Sequence, residues 1–372
     1  MTVNISKPSI NIREKLAELD KPSGIAGEAV LRADSVQDVR DSINAGRRNL
    51  IINGGFDVWQ RGTSIARGSG NTYHSADRFL AYTNSAGNAR STDVPSESPH
   101  TYSMKVDDFT GSLIIDQLME VPTGTVGPFK AGTNITISYW AKGTTHVKLM
   151  NRLMFRQSGG SSTNEVSPAG LYDHTKSNSL SSSWQKFSQT YTMPAGVTVG
   201  SGIQALNLSI RSSDGVSAVI SPAAADEIFI TGIQVELGSV ATDFEHRSYG
   251  EELALCQRYC YVIGHPSQVI YLGTGSMYTS TAVNLSVPLP VQLRSTSPSF
   301  TRVTNGTGNW LNVYVGATGT VSNASPLQGD YTQSNLRIYM TGAHSGSSPS
   351  APGAGVWSMV LAGAKLIISS EL

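Results

Sequence analysis

The sequence carries little charge, and the charges that it has cancel. Only 15% of its 372 residues are charged, against roughly 25% in an average soluble protein. Lys+Arg and Asp+Glu both number 27, so the formal net charge is zero. A neutral chain has no global basic field that would hold nucleic acid or an anionic membrane. We therefore expect no nucleic-acid partner.

Long apolar runs are also absent. No stretch reaches the roughly 18 apolar residues that a membrane-spanning helix requires, and the polar start MTVNISKPSI lacks the apolar segment of a signal peptide. We expect a protein that is synthesised in a cytoplasm and is not embedded in a membrane.

Cysteine is scarce. The two cysteines, Cys256 and Cys260, lie one helical turn apart. Cytosolic thiols stay reduced, which argues against a disulfide, and C-x-x-x-C without a second pair is not a zinc spacing. We expect both to be small buried side chains.

Catalytic motifs are missing as well. The chain has no Gly-x-Ser-x-Gly elbow, no P-loop and no His-Glu-x-x-His, and its seven histidines are scattered. The adjacent carboxylates of Asp226 and Glu227 would point to opposite faces of a strand, which makes them poor catalytic partners. We expect that the protein is not an enzyme and binds no cofactor.

Short segments that alternate apolar and polar residues dominate what is present. With Gly, Ser and Asn between them, such segments predict a β-sandwich over residues 48–247. The predicted strands are Asn49–Asp57 (broken by a Gly-Gly bend), Tyr102–Val106, Ser112–Leu118, Asn134–Ala141, Val147–Leu153, Trp184–Tyr191, Ala205–Ile210 and Ile228–Leu237.

A second β-rich domain is predicted over residues 265–372. Its strands are Gln268–Leu272, Thr281–Val287, Ser299–Val303, Leu311–Val315, Leu336–Met340 and Gly355–Ser370. Between the two domains, Ser248 and Glu251 have the spacing of a capping box, which predicts a linking helix over residues 248–264. The fold class is therefore mainly β.

Residues 1–47 have a different pattern. Ile12, Leu16 and Leu19 form one short apolar stripe, and Val36, Val39 and Ile43 form another, at helical spacing. Helices this short are marginal alone, so they must pack on something. Copies of the same chain, a partner protein, or the chain's own next domain can each supply that surface.

Several phrases, taken together and in order, resemble receptor-binding proteins of tailed bacteriophages. They are NLIINGGFDVW (49–59), ADRF (76–79), ITISYWAK (135–142), IQVELG (233–238) and GSVATDFEHRSYGEELALCQRYCY (238–261). In that family, similar phrases mark a jelly roll that is similar to a carbohydrate-binding module, and residues 1–47 also resemble the virion-anchoring end of short tail fibres.

The resemblance implies a tail-fibre protein of the phage virion that attaches to a host-surface glycan or outer-membrane receptor. It also implies a homotrimer held to another virion protein through residues 1–47. Two alternatives remain: a purely structural head fibre, collar or tail decoration, and, less favoured, a polysaccharide depolymerase.

Glycan sites use exposed rings that stack on sugars. The candidate rings are Trp59, Tyr73 and Trp140 in the sandwich, with Arg61, Asp77 and Arg78 as polar neighbours, and Trp310 and Tyr331 in the distal domain. Trp59 can instead pack at a sheet edge, and Trp310 can pack beneath its own loop. The resemblance further implies a structural calcium, which would map to Asp57, Asp226 and Glu227.

Overall fold

The computed structural model describes residues 47–65, 76–82, 87–106, 113–123, 126–144, 147–157, 172–195, 203–212, 227–277, 282–295, 297–304, 310–315, 318–322, 325–327, 331–332, 335–341 and 355–371. The chain divides into two compact units, Met1–Asn49 and Leu50–Leu372. The first unit is described only at residues 47–49. The predicted anchor residues Ile12, Leu16, Leu19, Val36, Val39 and Ile43 therefore lie outside the described residues.

Two antiparallel sheets form a β-sandwich in the second unit. The strands are β1 (Ser64–Ile65), β2 (Leu80–Tyr82), β3 (Asn88–Ser91), β4 (Ser103–Val106), β5 (Ile114–Glu120), β6 (Asn134–Gly143), β7 (Lys148–Gln157), β8 (Tyr172–Ser179), β9 (Gln185–Thr192), β10 (Ile203–Ser212) and β11 (Ile228–Leu237). One sheet has the order β1-β3-β4-β11-β6-β9, and the other has the order β2-β5-β10-β7-β8.

Strands β4 to β11 have the arrangement of a jelly roll. The chain crosses between the sheets after nearly every strand, so β4, β11, β6 and β9 face β5, β10, β7 and β8. Alternate residues of both sheets, such as Ile137 of β6 and Leu208 of β10, meet in one fully buried core. The mainly β fold and the sandwich predicted from the alternating segments are confirmed.

The first predicted strand is wrong. Residues 51–55 form bends and turns, because Asn53 and Phe56 adopt positive φ angles of 61° and 58°. The side-chain amide nitrogen of Asn53 donates a hydrogen bond of 2.8 Å to the Val58 carbonyl. Its side-chain oxygen accepts one of 2.9 Å from the backbone amide of Val58. The segment buries Ile51 and Phe56 as a folded loop and not as a strand.

Two more sheets lie in the C-terminal part of the same unit. Their strands are β12 (Cys260–Gly264), β13 (Ile270–Met277), β14 (Ala282–Pro288), β15 (Ser299–Val303), β16 (Leu311–Val315), β17 (Thr318–Ser322), β18 (Ser325–Leu327), β19 (Tyr331–Thr332), β20 (Asn335–Thr341), β21 (Gly355–Val360) and β22 (Lys365–Ser369). A three-stranded sheet β12-β22-β15 and an eight-stranded sheet around β13 and β21 share a second apolar core.

The one helix in the described part of the chain, α1, covers Tyr249–Gln257. The Glu251 amide donates 3.3 Å to the Ser248 hydroxyl, which is the predicted cap. The helix is shorter than the predicted segment 248–264, because Cys260–Gly264 pairs with β22 as a strand. Cys256 and Cys260 are free and buried, as expected.

Charged side chains connect the sandwich to the last residues of the chain. Glu371 accepts hydrogen bonds from Arg61 at 3.1 Å and from Arg78, and Arg61 also lies 3.5 Å from Asp77. The side chains of all four are at least nine-tenths buried. Such a buried network is stable only while each charge keeps its partners.

Among the described residues, no helix is long and apolar enough to cross a bilayer.

Candidate functional site

The aromatic residues predicted to bind glycan differ in their burial and in how far the structure describes them. Trp59 is 8% exposed and its indole donates 2.6 Å to the Phe56 carbonyl, which fits edge packing, although one side of it lines a pocket. Trp140 is half-buried and lines another pocket. Tyr73 lies outside the described residues, and Tyr331 is described only as backbone, in β19.

Trp310 does not present its ring to solvent. It is fully buried and packs in the second core beside Leu311 and Val313, and its carbonyl accepts 2.9 Å from the Leu361 amide. The expectation of a glycan-stacking ring at this position is therefore corrected in favour of packing. The reason is its place immediately before β16, where the core continues.

The expectation of polar glycan-site neighbours at Arg61, Asp77 and Arg78 is likewise corrected. Their charged groups are engaged in the buried network with Glu371 and do not face a ligand pocket. Arg78 also stacks on the ring of Tyr259, with 3.4 Å between its Cζ and the ring centroid.

One open pocket combines rings and charges on the sandwich. We call it the Tyr249 pocket; it has a volume of about 460 Å³. It is lined by Asp57, Trp59, Gln60, Arg90, Thr101, Tyr102, His246, Arg247 and Tyr249. Four separate segments supply these residues: the loop after residue 56, strand β3, the residues before β4, and the start of α1.

One tyrosine of this pocket is open to solvent. Tyr249, the first residue of α1, is 60% exposed. The ring of Tyr102 is half-buried, and the guanidinium of Arg90 lies 4.3 Å from its centroid. A cation held over a ring in this way keeps its donors in place beside the pocket.

A carboxylate lies close to that cation. Burial raises the pKa of Asp57 above its ordinary value, and the positive charge of Arg90 opposes the shift. The pocket therefore offers an acceptor, Asp57, and a multiple donor, Arg90, within one electrostatic neighbourhood. That pairing suits the hydroxyls of a sugar, which both donate and accept.

The floor of the pocket is held by hydrogen bonds. Arg247 donates 3.0 Å to the Ile51 carbonyl and 3.1 Å to Glu245. The carboxylate of Glu252 in α1 accepts a hydrogen bond of 2.5 Å from the backbone amide of Asn53. These bonds fix α1 against the loop around residue 53, so the pocket is formed before any ligand binds.

A second pocket, the Trp140 pocket, has a volume of about 300 Å³. It is lined by Glu97, Ser98, Pro99, His100, Ser138, Trp140, Lys186, Gly232, Thr242, Asp243 and Phe244. His100 is buried there, and burial, together with the charges of His246 and Lys186, lowers its pKa to about 4. It is therefore a neutral imidazole at ordinary pH.

The described carboxylates do not assemble the calcium site that the resemblance implies. Glu227 pairs with Lys105 at 2.8 Å, whereas Asp57 lines the Tyr249 pocket beside Arg90. Asp226 lies outside the described residues. Within the described ranges, no group of three or more His, Cys, Asp or Glu could hold a metal ion. Calcium binding stays a prediction.

Comparison with known proteins gives distant similarities. No protein-family model matches the chain, and no curated protein does. Among solved structures, the enzymatically active domain of bacteriophage CBA120 tailspike protein 4 is 12% identical with a TM-score of 0.30, covering 51% of this chain and 21% of that one.

Two sugar-related structures are similar to the same degree. A family 4 carbohydrate-binding module is 15% identical, with a TM-score of 0.28 over 43% of this chain and 95% of the module. A sugar-binding protein of Bacteroides thetaiotaomicron, described as putative, is 10% identical, with a TM-score of 0.33 over 51% of this chain and all of that one. Similarities this weak carry no argument about function, so the jelly roll rests on the strand order itself.

Proposed function

We propose that this chain is a receptor-binding tail-fibre protein of a phage virion, which attaches the particle to a glycan on the host surface. The ordered phrases in the sequence support the phage assignment. The observation that carries glycan binding is the Tyr249 pocket, where an exposed ring stands beside the Asp57 carboxylate and the Arg90 guanidinium. The role requires binding and no catalytic step.

In this proposal, one ring stacks on the sugar and two charged side chains bind its hydroxyls. The exposed ring of Tyr249 covers the apolar face of a sugar, while Asp57 accepts from its hydroxyls and Arg90 donates to them. One such site binds weakly. A homotrimer held to the virion through residues 1–47 presents several copies, and multivalency then raises the overall affinity without any new contact.

The test measures binding of the purified protein to the surface polysaccharide of the bacterium that the phage infects. Tyr249→Ala and Arg90→Gln are expected to weaken binding by about tenfold each, the equivalent of about 1.4 kcal/mol. Tyr271→Ala is the matched control, because Tyr271 is a tyrosine of β13 that is 53% exposed and lies outside both pockets.

Equal binding by the parent and the Tyr249 and Arg90 variants would reject the site. Absence of binding by the parent would reject the glycan proposal itself.

A further inference from the structure

The two pockets of the sandwich share one wall. The segments 97–102 and 242–247 each contribute residues to both pockets: Thr101, Tyr102, His246 and Arg247 line the Tyr249 pocket, and their neighbours in the same segments line the Trp140 pocket. Within this wall, the ring centroid of His100 lies 4.6 Å from that of Phe244 and 5.3 Å from that of His246. Phe244 lines the Trp140 pocket and His246 lines the Tyr249 pocket. The wall is therefore only a few rings thick.

The Trp140 pocket has the groups that a sugar needs. Trp140 lies on the face of β6 away from the core, in register with Lys186 of β9, and its half-buried ring leaves one part open to the pocket. Ser138 and Thr242 bring hydroxyls to the same pocket. An aromatic surface with hydroxyls and charges around it is the composition of a glycan subsite.

The charges of the pocket select among sugars. Glu97 and Asp243 bring two carboxylates, against the single ammonium of Lys186. His100 contributes no charge at ordinary pH. Both signs of charge therefore line the pocket, which suits the hydroxyls of an uncharged sugar, since these both donate and accept. An uncharged sugar, whose hydroxyls donate to Glu97 and Asp243, fits this lining.

We infer that the Trp140 pocket binds a second, uncharged sugar unit of the same glycan whose first unit occupies the Tyr249 pocket, across the wall formed by His100, Phe244 and His246. This inference rests on the proposed function, since it adds a subsite to the proposed glycan site. It goes further in assigning a length requirement: a chain that reaches both pockets binds more tightly than a fragment that fills one.

The experiment compares two probes by calorimetry: the intact surface polysaccharide of the host bacterium, and the single repeating unit released from it. Trp140→Ala is expected to weaken binding of the intact polysaccharide by about tenfold, as the loss of one stacking contact of about 1.4 kcal/mol would do. Binding of the single unit is expected to change less than twofold. Tyr249→Ala is expected to weaken binding of both probes.

Trp184→Ala is the matched control. Trp184 precedes β9, in the same sheet as Trp140, is half-buried like it, and lies outside both pockets. Glu97→Ala is the second pocket variant, because Glu97 is exposed and its replacement leaves the fold intact. It is expected to follow Trp140→Ala, with a smaller loss for the intact polysaccharide.

Three results would overturn the inference. Unchanged binding of the intact polysaccharide by both pocket variants would reject the subsite while leaving the Tyr249 pocket in place. Equal weakening by Trp184→Ala would assign the effect to the sheet and not to the pocket. If the parent bound neither probe, the proposed function would fail first, and the subsite with it.

Discussion

Arg78 is a buried cation that is held from several sides. Its side chain is 1% exposed, and it donates to Glu371 and, at 2.7 Å, to the Leu118 carbonyl, while its guanidinium stacks on Tyr259. A buried guanidinium is tolerated only because its charge is balanced and its donors are used. Glu371 supplies that balance from the far end of the chain.

Replacing Glu371 with Ala should therefore destabilise the fold. Arg78 would keep the Leu118 carbonyl but lose its carboxylate, and breaking a buried pair on one side costs about 3–5 kcal/mol. Urea denaturation followed by tryptophan fluorescence measures the change. Glu97→Ala, which removes an exposed carboxylate, is expected to cost less than about 0.5 kcal/mol. A loss of the same size in both variants would contradict the role of the buried network.

Asp77 makes stability depend on pH in an unusual direction. Burial raises its pKa to about 6, while Arg61 and Gln60 oppose the shift. Between the unfolded value near 3.8 and about 6, the folded protein keeps a proton that the unfolded chain has lost. The contribution of Asp77 is therefore full below pH 3.8 and is lost as the pH rises through about 6.

Asp77→Asn should remove this dependence. The free energy of unfolding of the parent, relative to that of the variant, is expected to fall as the pH rises from about 4 to about 6. Urea denaturation at half-unit pH steps gives both curves. Parallel curves for parent and variant over that range would show that Asp77 titrates as it does in the unfolded chain.

At the scale of elements, the long alternating strands could be predicted and the polar ones could not. The predicted segment Ile228–Leu237 is β11 without change, because apolar residues there face the core of a two-layer sandwich. Strand β8, with the sequence YDHTKSNS, gave no signal. Among the described strands it is the outermost of its sheet and pairs with β7 alone, so it carries no apolar alternation.

The loop around residue 53 could not be predicted from the local sequence either. Ile51 and Phe56 are buried like strand residues. However, the side chain of Gln117 makes two hydrogen bonds to the backbone of Ile52. It donates one of 2.8 Å to the Ile52 carbonyl and accepts one of 2.8 Å from the Ile52 amide. A side chain thus replaces a neighbouring strand, and no local pattern indicates that substitution.

The candidate site was only partly predictable. Trp59 and Trp140 are candidates because a glycan site needs rings that stack on sugars, and both line pockets. Arg90, Tyr102 and Tyr249 were missed, since they come from three distant segments and meet only after the jelly roll closes. For Trp310 the sequence left stacking and packing both open, because a loop-rich sequence surrounds a residue that the second core covers.

Gly232 is a position where one added methyl group should destabilise the fold. It lies in the irregular pairing of β11 with β6 at a φ of 64°, and a Cβ atom there would lie 2.4 Å from Nε2 of His100. Gly232→Ala should destabilise the fold by at least about 1–2 kcal/mol from the backbone conformation alone. It should also displace the wall between the two pockets.

Gly250→Ala is the control for that substitution. Gly250 lies in α1, and a Cβ atom there would meet nothing within 4 Å. Alanine in a helix is expected to leave stability unchanged or raise it by up to about 1 kcal/mol. Thermal unfolding of both variants measures the difference, and a Gly232→Ala variant as stable as the parent would mean that the backbone at position 232 and the ring of His100 both adjust at no cost.

At the scale of the whole molecule, the C-terminal sheets and the sandwich belong to one compact unit. Gln60 donates 2.7 Å to the Cys260 carbonyl, and Lys365 donates 3.1 Å to the Arg61 carbonyl. Arg258 lies 3.2 Å from Glu120. These contacts, with the buried network of Glu371, hold the last strands against the sandwich, so we expect the Leu50–Leu372 unit to unfold in a single transition.

Removal of residues 1–47 tests whether virion attachment belongs to this segment while folding and glycan binding belong to the rest of the chain. The sandwich core begins at Ile51, and its sheets use strands from β1 onward. Since Leu50–Leu372 forms a compact unit of its own, the shortened protein is expected to unfold within a few degrees of the parent and to keep the single-site affinity for the glycan. It should no longer join the virion, because the proposed anchor is gone.

Calorimetry, thermal unfolding and particle assembly with tagged protein measure the three properties separately. Incorporation of the shortened protein into particles would place the virion contact in Leu50–Leu372 and would end the anchor proposal. Early unfolding would mean instead that the first unit stabilises the second.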